Sequence, residues 1–271
     1  MREIISDCLD PKLLSIIEMQ WANYSRELSS TGYVEITDGP YMTLFSTTIP
    51  NTEANGVVLA RLLPEKLDIK IEEAKEFFKS RGLPWTWYIG PFTRPLDLGK
   101  HLEGHGFTQV YDMPCMALEL AAMNDMIIAF PGFRAEEVTN VDQLKDYYKV
   151  MAVVFPEIIG RFKEYFFKMD AAYGFGVHLP KRNYVGYLDG KPVASSTLIL
   201  GHGVVGLFNI STIAEARCKG LGTEMTLVLL REALSLGYRV GVLHSSDMGY
   251  PVYRKIGFKE YCKIYAYQLS E

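Results

Sequence analysis

Leu207-Phe-Asn-Ile-Ser-Thr-Ile-Ala-Glu-Ala-Arg-Cys-Lys-Gly-Leu-Gly-Thr-Glu-Met-Thr-Leu-Val-Leu-Leu-Arg231 is the stretch that decides the fold. Residues 204–210 read as a strand, and residues 221–236 read as a helix closed by Gly237. Between them lies a loop with Arg217, Lys219, Gly220 and Gly222. The first turn of a helix has N–H groups without intrahelical partners and the positive end of the macrodipole, so a phosphate is well solvated there. Gly220 and Gly222 remove side chains that would block the backbone and can take dihedrals closed to other residues. Thr223 adds a hydroxyl donor. A bare Gly-x-Gly describes a tight strand-to-helix turn equally well. The loop has no Gly-Lys-Ser/Thr ending and no Gly-x-Gly-x-x-Gly, which excludes a P-loop and the dinucleotide fingerprint.

Working outward, Asn140 caps a predicted helix over 141–154 that ends before Pro156. Residues 184–188 and 192–200 read as strands joined by the hairpin signal Asp189-Gly190. A strand at 240–244, a short helix at 252–256 and an extended run at 258–269 follow. The first half has the same order: an amphipathic helix at 12–28, strands at 41–45 and 57–63, a helix at 69–80 capped by Asp68, a strand at 85–89, a helix at 96–103 and an extended run at 107–120. Gly106-Phe107 and Gly257-Phe258 fall at matching places. Two domains of one fold are expected, residues 1–122 and 123–271, with a junction near 121–126.

The 271 residues are 48% apolar and 13% aromatic, enough for two packed cores. No run reaches the length of a membrane span, and the first residues lack a signal-peptide core, so a cytoplasmic protein without a membrane partner is expected. Cys8, Cys115, Cys218 and Cys262 are scattered, with no zinc spacing, and read as reduced thiols with no metal. The net charge of −4 gives no general attraction to nucleic acid. Residues 1–125 carry 11 Lys and Arg against 18 Asp and Glu, and the remainder 17 against 14. The mildly basic half is the one with the glycine loop.

Arg217-x-x-Gly220-x-Gly222, followed by Tyr253-Arg-Lys-Ile-Gly-Phe258, resembles the signature of the GNAT superfamily of acyl-CoA N-acyltransferases. The order of elements over residues 126–271 is similar as well, whereas the first half matches only in topology. The resemblance implies an α+β fold, a mixed sheet flanked by helices, in two tandem domains with a degenerate first one. It also implies acetyl-CoA as co-substrate. Ile210, Ser211 and Thr212 would face the pantetheine arm. Arg217, Cys218, Lys219, Gly220, Leu221, Gly222 and Thr223 would surround the pyrophosphate. Ser246 stands where many members have a cofactor-touching Asn. Tyr253 matches the position that protonates the departing thiolate, and packing of the short helix is its alternative role.

A phenol of pKa about 10 suits that protonation chemically. The general base is not identifiable; Glu157, His178 and His244 are candidates, and Gly241 stands where an acid would help. Cys218 has no nearby His, and direct transfer from a thioester needs no nucleophile. In the first half, residues 63–69 have two acids and no glycine, so residues 1–120 are expected to bind no coenzyme A and to shape the acceptor pocket or the domain interface. Trp85 and Trp87 share one strand face, and with Tyr88 they read as core and interface aromatics. The expected activity is N-acetylation of a primary amine on a small molecule or peptide, with a homodimer left open. The alternative is an acyl-CoA-binding sensor or scaffold without catalysis. A tandem aminoacyl or peptidyl transferase using an RNA carrier lacks its basic tract here.

Overall fold

The structure is a computed structural model that describes residues 4–125 and 130–270. Residues 1–3, 126–129 and 271 lie outside the described residues, and with them the first letters of the chain and the end of the expected junction. The chain forms two compact units, one of Leu14–Pro114 with Cys262–Glu271, the other of Met1–Leu13 with Cys115–Tyr261. Each unit therefore contains a strand segment from the opposite half of the sequence, which the sequential division at 122/123 does not have. The pairing of strands explains the difference, and pairing is not written in local sequence.

The first half of the chain runs through α1 (Leu13–Glu18), α2 (Gln20–Ser29), β1 (Glu35–Asp38), β2 (Thr43–Ser46), β3 (Gly56–Val58), α3 (Leu67–Lys79), β4 (Thr86–Ile89), α4 (Leu98–Gly104) and β5 (Phe107–Glu119). The helix expected at 12–28 is broken at Met19, next to Glu18, whose buried carboxylate accepts from the Phe92 N–H at 3.1 Å. Asp68 is not a cap: a turn at Pro64–Lys66 starts α3 earlier, with Lys66 at its N-cap and Asp68 in its first turn. β3 and β4 run parallel, joined by α3. Phe78 stacks on Trp85 at 4.5 Å between centroids, and Phe107 meets both Trp85 and Trp87 edge-on. These tryptophans are enclosed in a core with Leu67, Ile71 and Leu98, which removes them as a wall for an acceptor. Tyr88, on the other face of β4, stacks with Trp21 and Phe45. The C-terminal strand β11 (Lys259–Leu269) pairs with β4 in this unit, with Tyr265 opposite Ile89 and Tyr267 opposite Trp87.

The other unit contains β6 (Phe133–Glu137), α5 (Val141–Val154), α6 (Lys163–Tyr173), β7 (Lys181–Leu188), β8 (Lys191–Gly201), β9 (Val204–Thr212), α7 (Leu221–Ser235), β10 (Val240–His244) and α8 (Tyr250–Ile256). Strands β6 to β9 form an antiparallel meander. β10 lies parallel to β9, and residues 115–119 of β5 lie antiparallel to β10. Alternation along β7 serves two cores. Val185 and Tyr187 pack with Leu144, Tyr147 and Met151 of α5, while Tyr184 joins the cluster built on α7 and α8. Gly241 explains itself in this packing, because a Cβ there would stand 2.9 Å from Leu230 Cδ2. Neither β6 nor α6 was expected from sequence.

The expected cap of α5 is present: the Asn140 side chain accepts from the N–H groups of Asp142 and Gln143, both at 3.0 Å. Asn140→Ala is expected to lower stability by about 1 kcal/mol in urea denaturation. An unchanged midpoint would contradict the capping role.

Candidate active site

The site begins where two strands part. β9 and β10 are paired only at Gly241–Val205 and Val242–Gly206. On its other edge β9 stays with β8 to its end, with Ala194 opposite Thr212. No ladder pair joins β9 to β10 beyond Gly206, and residues 209–212 have no strand partner on that edge among the described residues. Its polar backbone groups need another partner or water. The parting coincides with a bulge. Ser195 lies opposite Ser211 but Thr197 lies opposite Phe208, so β9 carries one extra residue, and Asn209 has φ +53°. Ile210, Ser211 and Thr212 follow directly on this free edge.

The chain then turns through Ala214–Ala216 and reaches α7. Arg217 folds back so that its Nε donates to the Thr212 carbonyl at 3.0 Å. Cys218 (φ +60°) and Gly220 (φ +78°) both take the left-handed conformation. This pair of reversals delivers the chain into Leu221, the first residue of α7. No side chain caps the helix. The first backbone N–H in α7 to find an acceptor is that of Glu224, bonded to Gly220 O at 3.0 Å. Among the described residues, the N–H groups of residues 218–223 donate to no protein atom.

Gly222 has no need to be glycine for the fold. A Cβ built there would meet nothing nearer than Thr212 Oγ1 at 3.7 Å, an ordinary contact. Glycine in a helical first turn costs about 1 kcal/mol relative to alanine, so open space in front of Gly222 is maintained against propensity. Arg217, Cys218 and Lys219 are exposed, Gly222 and Thr223 half-buried, and Leu221 is buried in the α7 core. The nearby acid Glu224 is paired with Arg231 at 2.8 Å, which limits its repulsion of an anion. The residues present thus fit a diphosphate: uncapped donors, a helix dipole, two cations and room for close approach.

At the end of β10, Ser246 is exposed and engaged in a turn, its Oγ accepting from Gly249 N at 3.2 Å. Tyr253 on α8 is buried, packs edge-on to Phe258 and shares a cluster with Leu221 and Met225. Burial pushes its phenol up to about 12, so the hydroxyl stays protonated through neutral and mildly alkaline pH. Gly249 makes room for the ring, since a Cβ there would lie 2.7 Å from Tyr253 Cε2.

The candidate bases separate by position. Met151 Sδ lies 3.9 Å from Ser211 Oγ, so α5 ends near the end of β9, and Glu157 follows on an exposed turn. His244 closes β10 at that same end and is half-buried. His178 is exposed and precedes β7, whose first residue lies opposite Ile199, the end of the sheet where β9 begins. His178 is therefore remote from the loop. No group of metal-ligating side chains occurs among the described residues.

The first-half crossover is built differently. The Arg94 N–H bonds Ala60 O and the Leu62 N–H bonds Arg94 O, both at 2.9 Å, so the protein's own backbone fills the gap beyond β3. The turn before α3 contains no left-handed glycine and carries Glu65.

Two residues of the site escaped the sequence reading. Asn209 sits at the bulge, and its only signal was the tolerance of asparagine for positive φ. Gly249 frames Tyr253, and a glycine four residues before an aromatic on a short helix gave no signal. The conformations predict opposite signs for two alanine substitutions. Gly220→Ala should cost about 1–2 kcal/mol by forcing a left-handed alanine, while Gly222→Ala should be neutral or stabilising by up to about 1 kcal/mol. Urea denaturation of the two variants checks this, and equal destabilisation would contradict the geometry.

No protein-family profile matches the sequence, and no curated protein matches it. Solved structures do. A GCN5-related N-acetyltransferase from Kribbella flavida superposes with a TM-score of 0.73 at 15% identity, over 95% of each chain. A tandem GNAT protein from the clavulanic acid biosynthesis pathway gives 0.63 at 13% identity, over 99% of each chain. A GCN5-related N-acetyltransferase from Sphaerobacter thermophilus gives 0.60 at 14% identity, over 95% of this chain and 91% of that one. At such identities the likeness establishes architecture alone, a mixed sheet flanked by helices that is similar to the fold of these GNAT structures.

Proposed function

We propose that the chain is an acetyl-CoA-dependent N-acetyltransferase that acts on a primary amine of a small molecule or peptide by direct transfer. The observation that carries this reading is the run of unengaged N–H groups over residues 218–223 beside the free edge of β9. Bound acetyl-CoA would supply the thioester, whose carbonyl carbon would take the nitrogen of the neutral amine as its bond to sulfur breaks, the proton lost from nitrogen passing to water. In this reading the amides of Cys218, Lys219, Gly220, Leu221, Gly222 and Thr223 hold the diphosphate, with Arg217 and Lys219 adding charge. The backbone of Ile210, Ser211 and Thr212 orients the pantetheine arm, much as another strand would pair there. Ser246 is a weaker contact, because its hydroxyl oxygen already serves a turn. Tyr253 gives its proton to the departing sulfur; burial raises its pKa to about 12, which keeps it protonated before transfer and makes it a weaker acid than a free phenol. Holding both reactants in one cleft supplies much of the acceleration. The backbone-filled gap beyond β3 supports leaving Leu14–Pro114 out of cofactor binding.

Calorimetric titration with coenzyme A, followed by isotope-labelled acetyl-CoA with pooled amines, tests the reading. Binding with transfer of label to an amine is the expected result; binding without transfer would make the chain a sensor or scaffold, and no binding would end the assignment. Gly222→Asp should weaken coenzyme A binding at least about 100-fold, since it places bulk and negative charge at the diphosphate. A Cβ at this position has 3.7 Å of clearance to Thr212 Oγ1, and an unchanged urea midpoint separates lost binding from lost folding. Tyr253→Phe should lower kcat about tenfold or more with KM for acetyl-CoA nearly unchanged. In the wild type no alkaline loss from this group is expected below about pH 10, because the phenol's pKa is raised to about 12. Unchanged turnover in Tyr253→Phe would make Tyr253 a packing residue.

A further inference from the structure

Asn209 is the one residue of β9 with a left-handed backbone, and a buried hydrogen-bond network holds it there. Its Nδ2 donates to Tyr147 Oη and to Thr197 Oγ1, each at 3.2 Å. Those two oxygens are 2.8 Å apart. Thr197 in turn donates to Asn183 Oδ1 at 2.8 Å, which fixes the Tyr147 hydroxyl as donor to Thr197. Asn183 also bonds the Asp170 carboxylate at 2.7 Å and the Lys181 ammonium at 3.1 Å, and these two charges pair at 2.7 Å. Tyr147, Thr197, Asn183, Asp170 and Lys181 are all buried. On the backbone side, Ser195 Oγ donates to Asn209 O at 3.3 Å and lies 2.6 Å from Ser211 Oγ.

The network runs from the last turn of α6 and the start of β7 to the bulge, where β9 leaves β10. A buried polar group left without its partner costs far more than a surface one, so each member holds the next in a single arrangement. An unanchored left-handed asparagine is disfavoured, and a regular β9 without the extra residue would shift Ile210, Ser211 and Thr212 to the opposite face.

We propose that Asn209 is a positioning residue: through Tyr147 and Thr197 it fixes the bulge that keeps the free edge of β9 open for the pantetheine arm. The proposal rests on the acetyl-CoA reading for its kinetic consequences, but its structural content stands without ligand. Asn209→Gly keeps the backbone permissive and removes only the side-chain anchor. In ligand-free protein, amide exchange over residues 207–212 should quicken about tenfold in this variant. KM for acetyl-CoA should rise about tenfold, with kcat within about threefold of wild type. Tyr147→Phe, which leaves the ring in its core, should move both readouts the same way by a smaller factor and serves if Asn209→Gly fails to fold. Unchanged exchange in both variants overturns the proposal, as does a fall in kcat at constant KM, which would put Asn209 on the reacting atoms. If wild type binds no coenzyme A, the acetyl-CoA reading fails alone, and faster exchange over 207–212 still supports the positioning role.

Discussion

The site depends on how little β9 and β10 share. A parallel pair joined by a helix packs that helix against the sheet and aims its N-terminus at the carboxyl ends of both strands. Here the pair is only two residues long, ending at Gly206 and Val242. Residues 209–212 of β9, the loop and the first turn of α7 surround a gap in hydrogen bonding rather than a filled sheet. A parallel crossover closed to its end would leave a helix N-terminus facing a wall of paired backbone. The first-half crossover approaches that closed state, since Arg94 bridges the gap with its own backbone.

Two kinds of restraint keep the gap open. On the α7 side, packing acts: Gly241 lets Leu230 approach the sheet, and Glu232 ties α7 to Arg182 and Tyr184 of β7. With the helix held, the left-handed Cys218 and Gly220 leave the amides of the loop facing outward. On the α5 side, buried polar groups act, ending at Asn209. Packing restrains position broadly, whereas a saturated hydrogen-bond network selects one backbone conformation at one residue. The bulge draws on the second kind, because directed hydrogen bonds from the Asn209 side chain hold the one left-handed residue of β9.

Much of this was legible in the letters, for reasons that differ by element. Gly220 and Gly237 bracket α7 because glycine punctuates a helix at both ends. Asn140 marks the start of α5 because a short polar side chain satisfies the orphan N–H groups there. The tandem order of elements followed from two runs of similar punctuation. The edge strands β1 and β6 did not show, since Glu35–Asp38 and Phe133–Glu137 are rich in charge and lack an apolar alternation. α6 was hidden because Tyr165, Phe166 and Phe167 crowd together and blur its period. Strand pairing was invisible for a deeper reason: that residues 115–119 meet β10, and that Tyr265 meets Ile89, are non-local facts with no local trace. Asn209 belongs to the same category, because its conformation is imposed by Tyr147 and Thr197, far away in the chain.

The most direct test of the central claim is the behaviour of single amides in solution. In a nitrogen–proton correlation spectrum, addition of coenzyme A should move the backbone resonances of Gly220, Leu221, Gly222 and Thr223, and those of residues 210–212, as their N–H groups acquire acceptors. Resonances of the α3 start, residues 66–69, should stay in place. Unmoved signals at 220–223 under saturating coenzyme A would contradict the account.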